Sequence, residues 1–182
     1  MFKLGSLLSA AVACAALFPC ASAYGQAVPT ATRAITFQVG GGLSLANNDY
    51  SYDYIKGATL FGTIDFKNHF GIEGDIHDTS IFTPQDLGET SYLLGVRYKF
   101  NVNGFHPYAK VQAGLGTFNF QSTTYVPSSH TYKIYDFGGG VEHALPHRLN
   151  FRIVDLEYQR WPGFGANGLT PIMVTTGLAY RF

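Results

Sequence analysis

The sequence predicts an all-β chain folded as an eight-stranded antiparallel up-and-down transmembrane β-barrel, and three observations carry that reading. Apolar residues recur with a period of two from Ala34 to Phe182, in eight segments of about 9 to 12 residues, the length a tilted strand needs to cross a bilayer. Connections between the segments alternate between tight and long, the asymmetry of a membrane barrel with short turns at one rim and loops at the other. Charge is scarce. Asp, Glu, Lys and Arg make up 13% of the 182 residues and aromatics 15%, whereas a water-soluble domain carries about 25% charged residues.

Residues 1–27 read as a secretory signal peptide ahead of a barrel domain over 28–182. Lys3 gives a positive start, and an apolar run from Leu4 to Phe18 is shorter than the roughly 20 residues of a spanning helix, which argues against an N-terminal anchor. The small-residue triplet Ala21, Ser22, Ala23 places cleavage after Ala23, or else after Ala27. Cys20 resembles a lipoprotein cysteine, but Phe18 and Pro19 stand where that site takes small residues. Both cysteines, Cys14 and Cys20, fall in this leader, so a mature chain has neither a disulfide nor a thiolate ligand.

The segments follow in order. The first sets Ile35, Phe37, Val39, Gly41, Leu43 and Leu45 against Thr36, Gln38, Gly40, Gly42 and Ser44. The second sets Ala58, Leu60, Gly62, Ile64 and Phe66 against Thr59, Phe61, Thr63 and Asp65, and the third sets Phe70, Ile72, Gly74 and Ile76 against Gly71, Glu73, Asp75 and His77. In the fourth, Tyr92, Leu94, Val96, Tyr98 and Phe100 alternate with Ser91, Leu93, Gly95, Arg97 and Lys99. The fifth sets Ala109, Val111, Ala113 and Leu115 against Tyr108, Lys110, Gln112, Gly114 and Gly116; the sixth sets Tyr135, Phe137, Gly139 and Val141 against Asp136, Gly138, Gly140 and Glu142. The seventh puts Val154, Leu156 and Tyr158 opposite Asp155, Glu157 and Gln159, with a bulge expected near Arg152. The eighth alternates from Ile172 to Phe182. Tight connections are expected at Lys67 to His69, Asn101 to His106 and Ala144 to Arg148. Long ones are expected at Asn47 to Ile55, Thr79 to Glu89, Asn119 to Thr131 and Trp161 to Thr170.

Alternation alone fits a soluble lipocalin-type barrel as well, and the charges discriminate. A cation on the lipid face costs about 2 to 4 kcal/mol at the bilayer centre, so the face bearing Glu73, Asp75, Arg97, Lys110, Glu142, Asp155 and Glu157 must point into the barrel. That face is too glycine-rich and too sparsely charged to solvate a soluble protein. The opposite face gathers aromatics at the strand ends: Phe66, Phe70, Tyr98, Phe100, Tyr180 and Phe182 by the short turns, and Tyr92, Tyr135 and Tyr158 toward the long loops. These are the expected interfacial girdles. An eight-strand barrel is filled by its own side chains, and buried charges need partners. Glu73 with Arg97, and Lys110 with Glu142, are the expected ion pairs, with Arg181 joining near the rim. A polar plug is favoured over an ion path.

The last strand carries the most specific pattern: Thr175, Gly177, Tyr180 and the terminal Phe182, spaced as polar, any, glycine, two of any, aromatic, any, aromatic. With Pro107, Tyr108 and Gly114 in the fifth segment and Gly140 and Glu142 in the sixth, the mature chain resembles the outer-membrane β-barrel proteins of the OmpA/OmpX transmembrane type, often described as porin-family. The resemblance implies export through the periplasm to the outer membrane of a Gram-negative cell and periplasmic termini. It also implies that residues 175, 177, 180 and 182 form an assembly signal read by the barrel-assembly machinery. Outer-membrane lipid and lipopolysaccharide are the implied surroundings. It implies no single activity, since members include anchors, adhesion factors and narrow conduits. The chain stops at Phe182, where larger relatives continue into a peptidoglycan-binding domain, so a wall-tethering role is not expected.

Chemistry is sparse. Lysine plus arginine equals aspartate plus glutamate, 12 each, which argues against a nucleic-acid or other polyanion partner. Phosphate-cradling, zinc-spacing and calcium-loop motifs are not recognised, and no cofactor is expected. His69, His106, His143 and His147 fall beside short turns. His77 and His130 lie toward the external side but lack the His-x-Ser-Asn arrangement of outer-membrane lipid A deacylases. The first loop, with Asn47, Asp49, Tyr50, Tyr52, Asp53 and Tyr54, suits a cation, a glycan or a host surface, or is simply solvated. The expected function is therefore a non-enzymatic barrel with a structural or surface-interaction role. A narrow conduit for small solutes is the first alternative and a lipid A-modifying enzyme the second.

Overall fold

The computed structural model describes residues 35–47, 54–66, 69–79, 81–82, 87–120 and 128–182. Its strands are β1 (Ile35–Asn47), β2 (Ile55–Phe66), β3 (Phe70–Asp78), β4 (Leu87–Lys99), β5 (Phe105–Phe120), β6 (Ser128–Ala144), β7 (Leu149–Arg160) and β8 (Ile172–Arg181). Each pairs antiparallel with its sequence neighbour, and β8 returns to β1, so the sheet closes without a free edge. The predicted leader and the tip of the first loop lie outside the described residues.

Closure sorts every strand into two faces, and the sorting is the reverse of a soluble protein. Leu43, Leu94 and Val96 are exposed by 63%, 64% and 59%, while Glu73 and Asp136 are 0% exposed and Arg97 1%. Such a surface is stable only against hydrocarbon, where a buried backbone must be satisfied within a closed barrel. Aromatic residues frame the apolar belt as expected. At the short-turn rim, Phe70 and Phe100 meet Tyr98 edge-on at centroid distances of 4.9 and 4.8 Å. Tyr180 and Phe37 meet Phe182 at 5.0 and 5.4 Å, each such pair adding about 0.5 to 1.5 kcal/mol.

The tight turns are specified locally. Between β4 and β5, Asn103 and Gly104 have φ of 48° and 84° and are flanked by Val102 and Phe105, which exchange two backbone hydrogen bonds of 2.9 Å. An Asn-Gly pair is the favoured occupant of such a turn because both central residues need positive φ. The β6–β7 turn places His147 and Arg148 at φ of 61° and 64°.

One expected connection needs correction, and one expected irregularity is present. The connection predicted over Asn119 to Thr131 is strand at both ends, with residues 121–127 outside the described residues: Asn119 pairs with Ser129 and Phe120 with Ser128 on one side, and β4 follows β5 as far as Leu87 opposite Phe120 on the other. Polar residues at 117 and 131 hid this in the sequence, yet their hydroxyls meet at 3.2 Å and extend the ladder. On β7 the expected bulge sits between Arg152 and Asp155, where the register to both neighbours shifts. Ile153 and Val154 therefore do not alternate, and Arg152 turns inward with 1% exposure.

Candidate functional site

Inward side chains fill the lumen in two ionic tiers under an apolar cap. The tier nearer the short turns is built on Arg97 of β4 and Arg152 of β7. Arg97 donates from Nη1 to Glu73 at 2.6 Å and from Nη2 to Glu142 at 3.0 Å, with its Nε 3.2 Å from Asp65. Arg152 reaches Glu73 at 2.9 Å, Glu142 at 3.0 Å and Asp155 at 2.9 Å. Their guanidinium carbons lie over aromatic faces, Arg152 3.7 Å from the Phe61 centroid and Arg97 4.5 Å from that of Tyr108. Lys99 closes the rim on Asp65 at 2.5 Å.

The second tier turns on one ammonium. Lys110 Nζ lies 3.0 Å from Glu73, 2.9 Å from Asp75, 2.8 Å from Asp155 and 2.6 Å from Glu157. His77 Nε2 lies 3.0 Å from Glu157 Oε2, and its Nδ1 is 2.7 Å from the Thr59 hydroxyl, which also meets Ser44 and, at 3.5 Å, Thr175. One oxygen or nitrogen from each of Asp75, His77 and Glu157 lies within 4.8 Å of the others, a donor set that could hold a metal ion.

Above both tiers, toward the long loops, Leu93, Phe118, Ile134, Trp161 and Leu169 form one buried apolar cluster, and Ala46, Ile55 and Met173 a second. The β7–β8 connection folds into the mouth here, with Trp161 bridged to Leu169 and its indole N–H donating to Gln159 Oε1 at 3.2 Å.

Inner-face glycines explain how residues two strands apart can touch. Gly138 lies in register between Lys110 and Glu157, and Gly71 between Asp65 and Arg97. Strands are about 4.8 Å apart, so a residue without a side chain in the middle lets long polar groups meet over it.

All seven charged residues expected on the inner face are there, each with exposure of 2% or less. Glu73 and Arg97 pair as expected. The pair between Lys110 and Glu142 does not form: Glu142 lies opposite His106, four residues down the strand from Lys110, and is held by Arg97 and Arg152 instead. Arg181 joins no carboxylate among the described residues and donates instead to the carbonyl oxygens of Leu145 and Leu149, both at 3.3 Å. Of the C-terminal pattern, Thr175 points inward and is buried, Gly177 lies opposite Gly42, and Tyr180 and Phe182 are exposed on the girdle. His77 points into the lumen, and His130 is an exposed strand residue.

Residues not singled out from the sequence include Arg152, Asp65 and Asp136. Asp65 and Asp136 stood on the inward parity of their segments, so the signal was present. Arg152 was hidden by the bulge.

The model of the outer membrane protein beta-barrel domain family matches residues 10–182. Solved structures similar to this chain include Neisserial surface protein A, at 15% identity and a TM-score of 0.56 over 82% of this chain and 97% of that one. OprG from Pseudomonas aeruginosa shows 14% identity and a TM-score of 0.59 over 82% and 96%. Ail of Yersinia pestis, in complex with the heparin analogue sucrose octasulfate, shows 18% identity and a TM-score of 0.53 over 81% and 97%. No curated protein matches the chain.

Proposed function

The chain belongs to the outer membrane protein beta-barrel domain family, and from that premise we propose that it is an occluded outer-membrane barrel: a rigid wall that carries its long loops at the cell surface, structural or surface-interacting in role and without catalysis. The observation that carries this reading is the ionic lattice across the lumen. Glu73 of β3 and Glu142 of β6 are each held by both Arg97 of β4 and Arg152 of β7, which ties strands on opposite walls together. Opening a path there would strip partners from several buried charges at once, at about 3 to 5 kcal/mol for each pair broken.

A conduit, the first alternative, would need those charges to line water rather than one another. The tight ionic contacts and the apolar cap both weigh against it. For a lipid-modifying enzyme, His77 would have to reach lipid. Its 1% exposure weighs against that, and His130, although exposed, lacks the His-x-Ser-Asn arrangement. Outer-membrane lipid and lipopolysaccharide are the proposed surroundings of the apolar belt, and the barrel-assembly machinery the proposed reader of the Tyr180 and Phe182 end.

Single-channel recording of the refolded protein tests the reading. A flat baseline is expected from bilayers in which insertion is verified independently. Stable unitary steps, altered by Glu73→Gln, would overturn it in favour of the conduit.

A further inference from the structure

We propose that Asp75, His77 and Glu157, with Asp136 beside them as a further donor, form a buried site for one divalent transition-metal ion of the zinc type, in the upper ionic tier beneath the Trp161 cap.

Charge balance motivates the search. Among the described residues, eight carboxylates are buried, Asp65, Glu73, Asp75, Glu89, Asp136, Glu142, Asp155 and Glu157, against three buried permanent cations, Arg97, Lys110 and Arg152. The lower tier is well matched, because each arginine bridges several carboxylates. The excess lies around Lys110. In a medium of low dielectric, surplus negative charge must be met by protons or by a cation.

Atom by atom, the surplus points to one place. Lys110 takes Oε1 of Glu157 and Oδ2 of Asp75. The other oxygen of Asp75, Oδ1, is buried without a hydrogen-bond partner, and Oε2 of Glu157 faces His77 Nε2 at 3.0 Å. That nitrogen, though so close, makes no aligned hydrogen bond. Asp136 supplies an independent observation: it is 0% exposed and neither carboxylate oxygen has a hydrogen-bond partner. It stands two residues along β6 from Gly138, the residue in register with Glu157, so it borders the same tier.

The imidazole is held as a metal-binding histidine is held. Thr59 Oγ1 lies 2.7 Å from Nδ1; when Nδ1–H donates to that hydroxyl, the lone pair of Nε2 is presented to the cluster, the outer-shell arrangement that fixes the tautomer of histidine ligands. One imidazole with carboxylates is a donor set of borderline hardness, suited to zinc and its neighbours rather than to calcium, which takes oxygen ligands alone. A proton on Nε2 shared with Glu157 is the competitor, and metal binding would displace it. Because the site is closed by the cap, loading belongs to the folding step, and the ion would act as a staple between β3, β6 and β7.

Untagged protein refolded into detergent or vesicles with stoichiometric Zn2+, then passed over a chelating resin, provides the test. One zinc per chain is expected in the washed barrel, and Co2+ in its place should give visible ligand-field bands. His77→Gln and Asp136→Asn should lose the ion, and Thr59→Val should weaken it about 10- to 100-fold. The proposal is overturned if the washed wild type holds no metal and shows no cobalt bands. Equal retention by the His77 and Asp136 variants would also overturn it, by placing the ion at the exposed histidines of the short-turn rim. Thr59→Val leaves every proposed donor in place, so comparing its retention with that of a variant lacking the rim histidines' metal-binding rings separates the two locations even if a ligand variant fails to fold: weakening in the first alone supports the lumen site, and unchanged retention by Thr59→Val with loss in the rim variant overturns it.

Discussion

Arg152 and Glu73 face each other across the lumen through a forked pair of hydrogen bonds, Nη1 to Oε1 at 3.1 Å and Nη2 to Oε2 at 2.9 Å. Parallel bonds of this kind fix orientation as well as distance, and the Phe61 ring beneath the guanidinium leaves it little freedom. The pair joins β7 to β3 and is the central tie of the barrel.

Glu73→Gln keeps the shape of that side chain and removes its charge, leaving Arg97, Arg152 and Lys110 each short of a partner. A loss of about 3 to 5 kcal/mol is expected in urea unfolding of the vesicle-inserted protein. A change below about 1 kcal/mol would mean the lattice is solvated.

Two inner glycines should respond differently to the same substitution. A Cβ at Gly116 would meet side-chain atoms of Trp161 and Ile134, whereas one at Gly114 would meet the backbone carbonyl of Tyr92. Gly116→Val should cost about 1 to 3 kcal/mol and be partly rescued by Trp161→Leu. Gly114→Val should not be rescued by any side-chain change nearby. A double-mutant cycle measures the difference.

The lipid-facing wall carries its own prediction. Leu94 stands in mid-strand with 64% exposure; Leu94→Arg should destabilise the inserted barrel by about 2 to 4 kcal/mol. On a water-facing surface the same change would fall within about 0.5 kcal/mol. Urea titration in vesicles separates the two.

Much of this fold could be read from the sequence because a membrane barrel obeys one rule along every strand. The period of two placed Glu73, Lys110 and Glu157 inside and Leu94 and Phe137 outside without any structural input, and the tight connection expected over Asn101 to His106 contains the turn at Asn103 and Gly104. Partner choice was less legible. Heights estimated strand by strand put Lys110 beside Glu142, but Gly138 opens a path to Glu157 that only the register reveals. Arg152 was obscured because one extra residue in β7 reverses the parity on which the reading depended. His77 was weighed as an external catalytic group, although its parity already turned it inward.

The chain's single tryptophan offers the most direct test that the apolar face meets lipid and the lumen is shut. Trp161 is 0% exposed within the cap, whereas Phe137 stands 55% exposed on the outer wall. In vesicles containing brominated lipids, fluorescence of the wild type should be quenched neither by the bromines nor by aqueous acrylamide, and Phe137→Trp in a Trp161→Phe background should be quenched strongly by the bromines alone. Acrylamide quenching at both positions, with no effect of brominated lipid at residue 137, would contradict the account.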